Sequence, residues 1–212
     1  DVQAFEASLA GRVPENTLLS HDLLEGLFVR CALVTDISLF EDFPSHSEVA
    51  ASRAHRWTRG DWQLLPWILG KRGRLPAMGR WKMLDNLRRS ILPPATVALL
   101  VASWSIATAR PLAWLGVVLM PWVWPAVVSL LERIATRPAS QSRRNHARQL
   151  ATEFLEDLTR AAVGLALLAQ NAWIALDAIG RALTRLLVTH QRRLEWITAA
   201  HLKERSTGAL TG

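Results

Sequence analysis

The chain has 212 residues, half of them apolar and 20% charged, with a formal net charge of +7. So high an apolar share beside so much charge requires segregation: residues 1–90 are mixed, 91–131 almost charge-free, and 132–212 alternate Arg-rich stretches with an apolar one, the pattern of a soluble part joined to a membrane part. Cys31 is the only cysteine, which excludes an intrachain disulfide and any cluster of thiolate metal ligands.

The start, DVQAFEASLAGRVPENT, lacks the basic and apolar regions of a signal peptide and has no initiator Met, so the chain is read as a piece of a longer protein. Residues 1–10 predict a short helix closed by Gly11, followed by a loop at Pro14, Glu15 and Asn16. A second helix begins at HDLLEG and continues to about Arg30, with Asp22 as N-cap and Glu25 completing a capping box. Asp22 then sits at a helix mouth, where the dipole favours the carboxylate. The stretch CALVTDISLFEDF predicts one brief strand near Val34 to Phe40. Ser45 and Glu48 supply a further capping box for a helix from about His46 to Leu65, stopping near Pro66. On a 3.6-residue period Arg53, Arg56, Trp57, Gly60 and Gln63 or Leu64 share one face, which is polar, aromatic and built around a glycine.

Residues 71–90 read as a basic connector leading into a short interfacial helix. Residues 91–109 and 111–131 carry no charge, and each is long enough to cross ~30 Å of hydrocarbon at ~1.5 Å per residue. Pro121 and Pro125 are expected to kink the second span, and Trp122 and Trp124 to anchor it. Lys71, Arg72, Arg74, Arg80, Lys82, Arg88 and Arg89 precede this hairpin, and Arg133, Arg137, Arg143, Arg144 and Arg148 follow it, whereas Arg110 alone lies between the spans. That asymmetry places both ends of the hairpin in the cytoplasm, and with no nucleic-acid motif it turns the basic charge toward a lipid bilayer rather than nucleic acid. A long helix is expected from about His146 to Glu204. Its apolar part, Ala161 to Leu176, is flanked by Arg160, Asp177, Arg181 and Arg185, which fits a helix lying in the headgroup region better than a third span. The expected division is 1–70, 71–90, 91–131, 132–205 and a disordered tail, 206–212.

Read singly, the polar residues have plain explanations. Asp22 and Glu25 serve as helix-capping carboxylates, and the Arg/Trp face as a cation–π lattice on a solvated surface. His21 and His55 lack an i, i+4 partner, so no metal site is expected within the chain. Read together, they suit glycosyl transfer with inversion. That reaction needs a carboxylate to take a proton from an acceptor hydroxyl, cations for a departing diphosphate, and an aromatic surface on which a sugar ring can stack.

SHD at Ser20, His21 and Asp22 and RAHRW at Arg53 to Trp57, in the settings LLSHDLLEG, FEDFPSH and HRWTRGDWQ, resemble two motifs of processive family-2-type glycosyltransferases with a GT-A core. The group includes cellulose synthases and osmoregulated periplasmic glucan synthases, and the flanking residues are most similar to the cyclic β-1,2-glucan synthase family. The resemblance implies a mainly α chain: the C-terminal fragment of an α/β GT-A domain, then a two-span hairpin and a long amphipathic interfacial helix, in a bacterial inner membrane. It implies that Asp22 is the catalytic base, that Arg53, Arg56, Trp57, Arg59 and Gln63 bind donor diphosphate and acceptor, and that His21, Glu25 and Gly60 support them. It also implies UDP-glucose and a growing glucan as partners, with a divalent cation (Mg or Mn) held by an Asp-x-Asp motif outside this chain. The sequence departs from the pattern in carrying Arg53 where relatives have Gln, and the fragment alone is expected to be inactive. A linear periplasmic β-glucan glucosyltransferase and a non-catalytic membrane scaffold or lipid-surface protein stay open as alternatives.

Overall fold

The computed structural model describes residues 2–14, 16–19, 22–29, 35–40, 46–72, 75–106, 111–136 and 142–195. Among these the chain is mainly helical, with no strand: α1 Val2–Leu9, α2 Asp22–Val29, α3 Ser47–Gln63, α4 Leu65–Ile68, α5 Ala77–Ile106, α6 Pro111–Ala135, α7 Arg143–Ala166 and α8 Leu168–Thr184, then a π-helical turn at Arg185–Thr189. Two compact units emerge: Asp1–Ile91 together with Trp173–Gly212, and Leu92–Ala172.

In the first unit α1 ends as expected, with Gly11 at φ 71, a left-handed conformation that costs a glycine little. The core gathers Leu24 of α2, Leu64, Trp67 and Ile68 from the end of α3 and α4, and Met83 and Leu87 of α5, joined by Leu18 and Leu75. Trp67, Leu24, Leu64 and Met83 are almost fully buried, each contributing about 1.5–3 kcal/mol of apolar burial. This core sets α2, α3 and the first turns of α5 beside one another. Gly79 allows the contact: a Cβ there would lie 2.6 Å from a methyl of Leu27 on α2.

Several expectations are corrected. Residues 35–40, assigned to a strand, form a turn followed by irregular chain, while Val34 lies outside the described residues. The N-cap of α3 is His46, with no side-chain capping bond; Ser45, Ser20 and His21 lie outside the described residues, as do Arg110 and the 206–212 tail. The interfacial helix and the first expected span are one continuous helix, α5, which runs through Pro93 and Pro94. The long helix expected from His146 to Glu204 breaks at Leu167, and among the described residues helical structure ends with the π-helical turn at Thr189, while residues 196–204 lie outside them.

In the second unit α6 packs along α7. Arg133 of α6 reaches Glu153 and Asp157 of α7, both at 3.2 Å. Trp122 of α6 donates its indole N–H to Thr96 Oγ1 of α5 at 3.2 Å, and its ring edge meets Gly164 of α7, where an added Cβ would lie 2.9 Å away. Leu112, Trp114, Val117, Met120 and Trp124 of α6 remain exposed. Leu112–Ala135 is, among the described residues, the one single helix long and apolar enough to cross a membrane; the broken pair α7–α8 becomes a second candidate if counted as one span. The charge-free part of α5 that is described, residues 91–106, reaches only about 24 Å at ~1.5 Å per residue, and residues 107–109 of that expected span lie outside the described set.

Candidate functional site

Asp22 is the first residue of α2, with Glu25 in the same turn, so two carboxylates stand at the positive end of the helix. Leu24 between them is fully buried and pins the helix, while Asp22 stays exposed. Along α3 the spacing Ala54, Trp57, Thr58, Asp61, which is i, i+3, i+4, i+7, forms one helical face. That face and Asp22 line a single cleft of about 450 Å³, closed on the far side by Asn86, Arg89 and Ser90 of α5.

Trp57 is 44% exposed and carries the Arg53 guanidinium 4.4 Å from its ring centroid, a cation–π contact that holds the indole in one orientation. Asn86 donates to Asp61 Oδ1 at 2.9 Å, and Ser90 accepts from the Trp62 indole at 2.9 Å. Burial pushes the Asp61 carboxyl above its ordinary range, against the opposing pull of the Asn86 hydrogen bond and the Arg89 charge. The cleft thus combines an exposed carboxylate, a second partly desolvated one, a guanidinium, an amide, hydroxyls and an indole surface. Such a set suits an uncharged ligand rich in hydroxyl groups, which the polar atoms can hydrogen-bond while its C–H faces lie on the indole.

The residues singled out from the sequence separate into two groups. Asp22 and Trp57 meet in the cleft, and Arg53 braces Trp57. Arg59 and Gln63 are buried on the other side of α3, in line with His55 at four-residue spacing. Arg59 donates to the Glu195 carbonyl at 2.5 Å, Gln63 donates to the Arg193 carbonyl at 2.9 Å and accepts from the Leu19 amide at 2.8 Å. Burial, then the charge of Arg185, pulls the Arg59 pKa down from its usual value. Arg56 is half-buried and is not among the cleft-lining residues; Gly60 is buried within α3, Glu25 is half-buried, and His21 lies outside the described residues. The cleft also contains Thr58 and Asp61, which the spacing from Ala54 could have revealed, and Asn86, Arg89 and Ser90, which no local pattern links to α3. Among the described residues no group of three or more His, Cys, Asp or Glu side chains is gathered to hold a metal.

No family model matches the chain. Among curated proteins it is similar to cyclic beta-(1,2)-glucan synthase NdvB of Rhizobium meliloti (strain 1021), with 43% identity over 210 residues, or 99% of this chain. The chain spans only 7% of that relative's length. Along essentially its whole length, the chain is therefore a relative of one segment of a cyclic beta-(1,2)-glucan synthase.

Proposed function

We propose that this chain forms the acceptor-side part of an inverting glucosyltransferase that polymerises glucose from UDP-glucose into a β-glucan, cyclic β-1,2-glucan foremost, in a bacterial inner membrane with its terminal parts cytoplasmic. The observation that carries the reading is the cleft shared by Asp22 and Trp57. Similarity to a synthase whose name specifies that product supports it.

In this reading the terminal sugar of the glucan rests on Trp57. One of its hydroxyls gives its proton to the Asp22 carboxylate as the oxygen attacks C1 of the donor glucose. The C1–oxygen bond to UDP breaks on the opposite face, UDP leaves with the electron pair, and the configuration at C1 inverts. Asp61, Asn86 and Ser90 supply hydrogen-bonding positions for neighbouring hydroxyls. Arg56, on the same helix as Trp57, is assigned to the departing diphosphate, and Arg59 and Gln63 maintain the position of α3. The donor nucleotide and its Mg or Mn are assigned to residues outside this chain; that cation, when bound, offsets diphosphate charge.

The test uses full-length protein in membrane vesicles, with incorporation of labelled glucose from UDP-glucose as readout. Asp22→Asn is expected to lower incorporation at least about a hundredfold with membrane insertion unchanged. Turnover near the unsubstituted level would remove Asp22 from the mechanism.

A further inference from the structure

A second concavity, of about 680 Å³, runs along α8 and the π-helical turn. Its charged lining consists of Arg181, Arg185, Arg192 and one acid, Asp177, which is already shared: Asp177 Oδ2 accepts from Arg181 at 2.7 Å and lies 2.8 Å from His55 Nε2. Arg185 is paired in turn with the Glu195 carboxylate at 2.7 Å, so the positive charge left over in the groove rests on Arg192. The buried face of α8 is a row of alanines, Ala172, Ala175, Ala178 and Ala182, whereas Trp173 at one end of the groove is 72% exposed, and Leu176, Leu187 and Val188 are exposed too.

The far wall of the groove has unusual backbone. The π-helical turn is followed by His190 at φ 54 and Arg192 at φ 52, both non-glycine residues in the left-handed region. Such conformations are costly, persist only where surrounding contacts enforce them, and gather at binding sites, as do π-turns. The enforcing contacts are side chains on main-chain carbonyls: Arg185 on Arg192 at 2.7 Å, Gln63 on Arg193 and Arg59 on Glu195. These bonds hold a short segment that presents Arg192 to the groove.

We propose that this groove binds the phosphate of an acidic phospholipid headgroup, with Arg181 and Arg192 on the phosphate oxygens and Trp173 and Leu176 against the upper part of the lipid. Guanidinium groups match phosphate geometry, and basic pockets with an adjoining aromatic and aliphatic surface select anionic headgroups at the membrane boundary. The excess of positive charge favours this ligand over a neutral glucan. The inference does not depend on the glucosyltransferase reading, because the groove shares no lining residue with the Asp22 cleft.

The test is native mass spectrometry of the 212-residue chain in neutral detergent, titrated with phosphatidylglycerol, phosphatidylcholine, glycerol 3-phosphate or a neutral gluco-oligosaccharide. Phosphatidylglycerol is expected to bind in preference to phosphatidylcholine. Arg192→Asn, which suits the left-handed backbone, should weaken it about fivefold, Arg192→Lys should weaken it less, and Arg143→Gln on α7 should leave it unchanged. Equal retention of the two lipids, or equal loss on Arg143→Gln and Arg192→Asn, would overturn the site. Glycerol 3-phosphate binding as tightly as the lipid would reassign it to a soluble phosphate, and displacement of the lipid by the oligosaccharide would reassign it to glucan; either result overturns the lipid assignment.

Discussion

The Nε2 of His55 on α3 lies 2.8 Å from Oδ2 of Asp177 on α8, 122 residues further along the chain. Burial lowers the His55 pKa from 6.5; the Asp177 hydrogen bond opposes that shift, and the charges of Arg59 and Arg181 add to it. The folded chain therefore favours neutral imidazole, which donates its Nε2–H to the carboxylate. As pH falls below about 6.5 the unfolded chain takes up this proton before the folded one, so the stability present above that pH is lost as pH drops through the lowered folded value. His55→Gln, which keeps a donor but cannot titrate there, should flatten the thermal-unfolding midpoint against pH between about 7 and 5. Identical slopes in the two proteins would assign the pH dependence to other groups.

Asp61 has the opposite sign. Its folded pKa is raised above 3.8, so the protonated form is favoured on folding and stability declines as pH rises from the unfolded value through the folded one. Asp61→Asn, still able to accept from Asn86, should be more stable than the unsubstituted chain at neutral pH, with the difference closing toward pH 4. Denaturant melts at the two pH values measure it. A variant less stable at pH 7 would show that the ionised carboxylate contributes more than its desolvation costs.

Gln63 is 2% exposed, and its amide is bonded at both ends. Gln63→Leu leaves the Leu19 amide and the Arg193 carbonyl without their partner, a loss of about 2 kcal/mol or more in a denaturant melt. A change below about 0.5 kcal/mol would mean that solvent replaces both bonds.

Two helical glycines should respond in opposite directions to alanine. At Gly164 the new Cβ meets the Trp122 ring, which the bond to Thr96 holds in place; the overlap should outweigh the ~1 kcal/mol propensity gain and lower stability by about 1 kcal/mol. At Gly180 nothing lies within 4 Å, and alanine should raise stability by about 0.5–1 kcal/mol. Thermal melts that move the two variants in the same direction would contradict the packing at Gly164.

Trp57→Ala in the full-length protein should raise the KM for glucan acceptor about three- to tenfold, with a smaller effect on kcat, and Trp57→Phe should recover most of the loss. A fall confined to kcat would remove Trp57 from acceptor binding.

Helix ends with local chemistry were readable from the residues. Gly11 closes α1 through its left-handed backbone, Asp22 is the first residue of α2 rather than its N-cap, and α3 spans nearly the expected length although His46 at its N-cap makes no side-chain bond. The apolar run of α6 was equally plain. The strand near Phe40 was not formed over residues 35–40: β-branched composition describes a preference that needs a pairing partner, and none lies beside it among the described residues. The basic stretch before residue 91 and the apolar stretch after it form one helix, α5, with Pro93 and Pro94 inside it. Within the candidate site, periodicity placed Gln63 with Trp57, but the contacts separate them. The partners that claim Arg59 and Gln63, the carbonyls of Glu195 and Arg193, lie more than a hundred residues away, beyond the reach of any local pattern.

The carboxamide of Gln63 has one consequence for how force passes through the first unit. Its oxygen grips the main chain at Leu19, three residues before Asp22, and its nitrogen grips the main chain at Arg193. A pull on the segment around Arg193 is thereby delivered, through one planar group, to the main chain at Leu19.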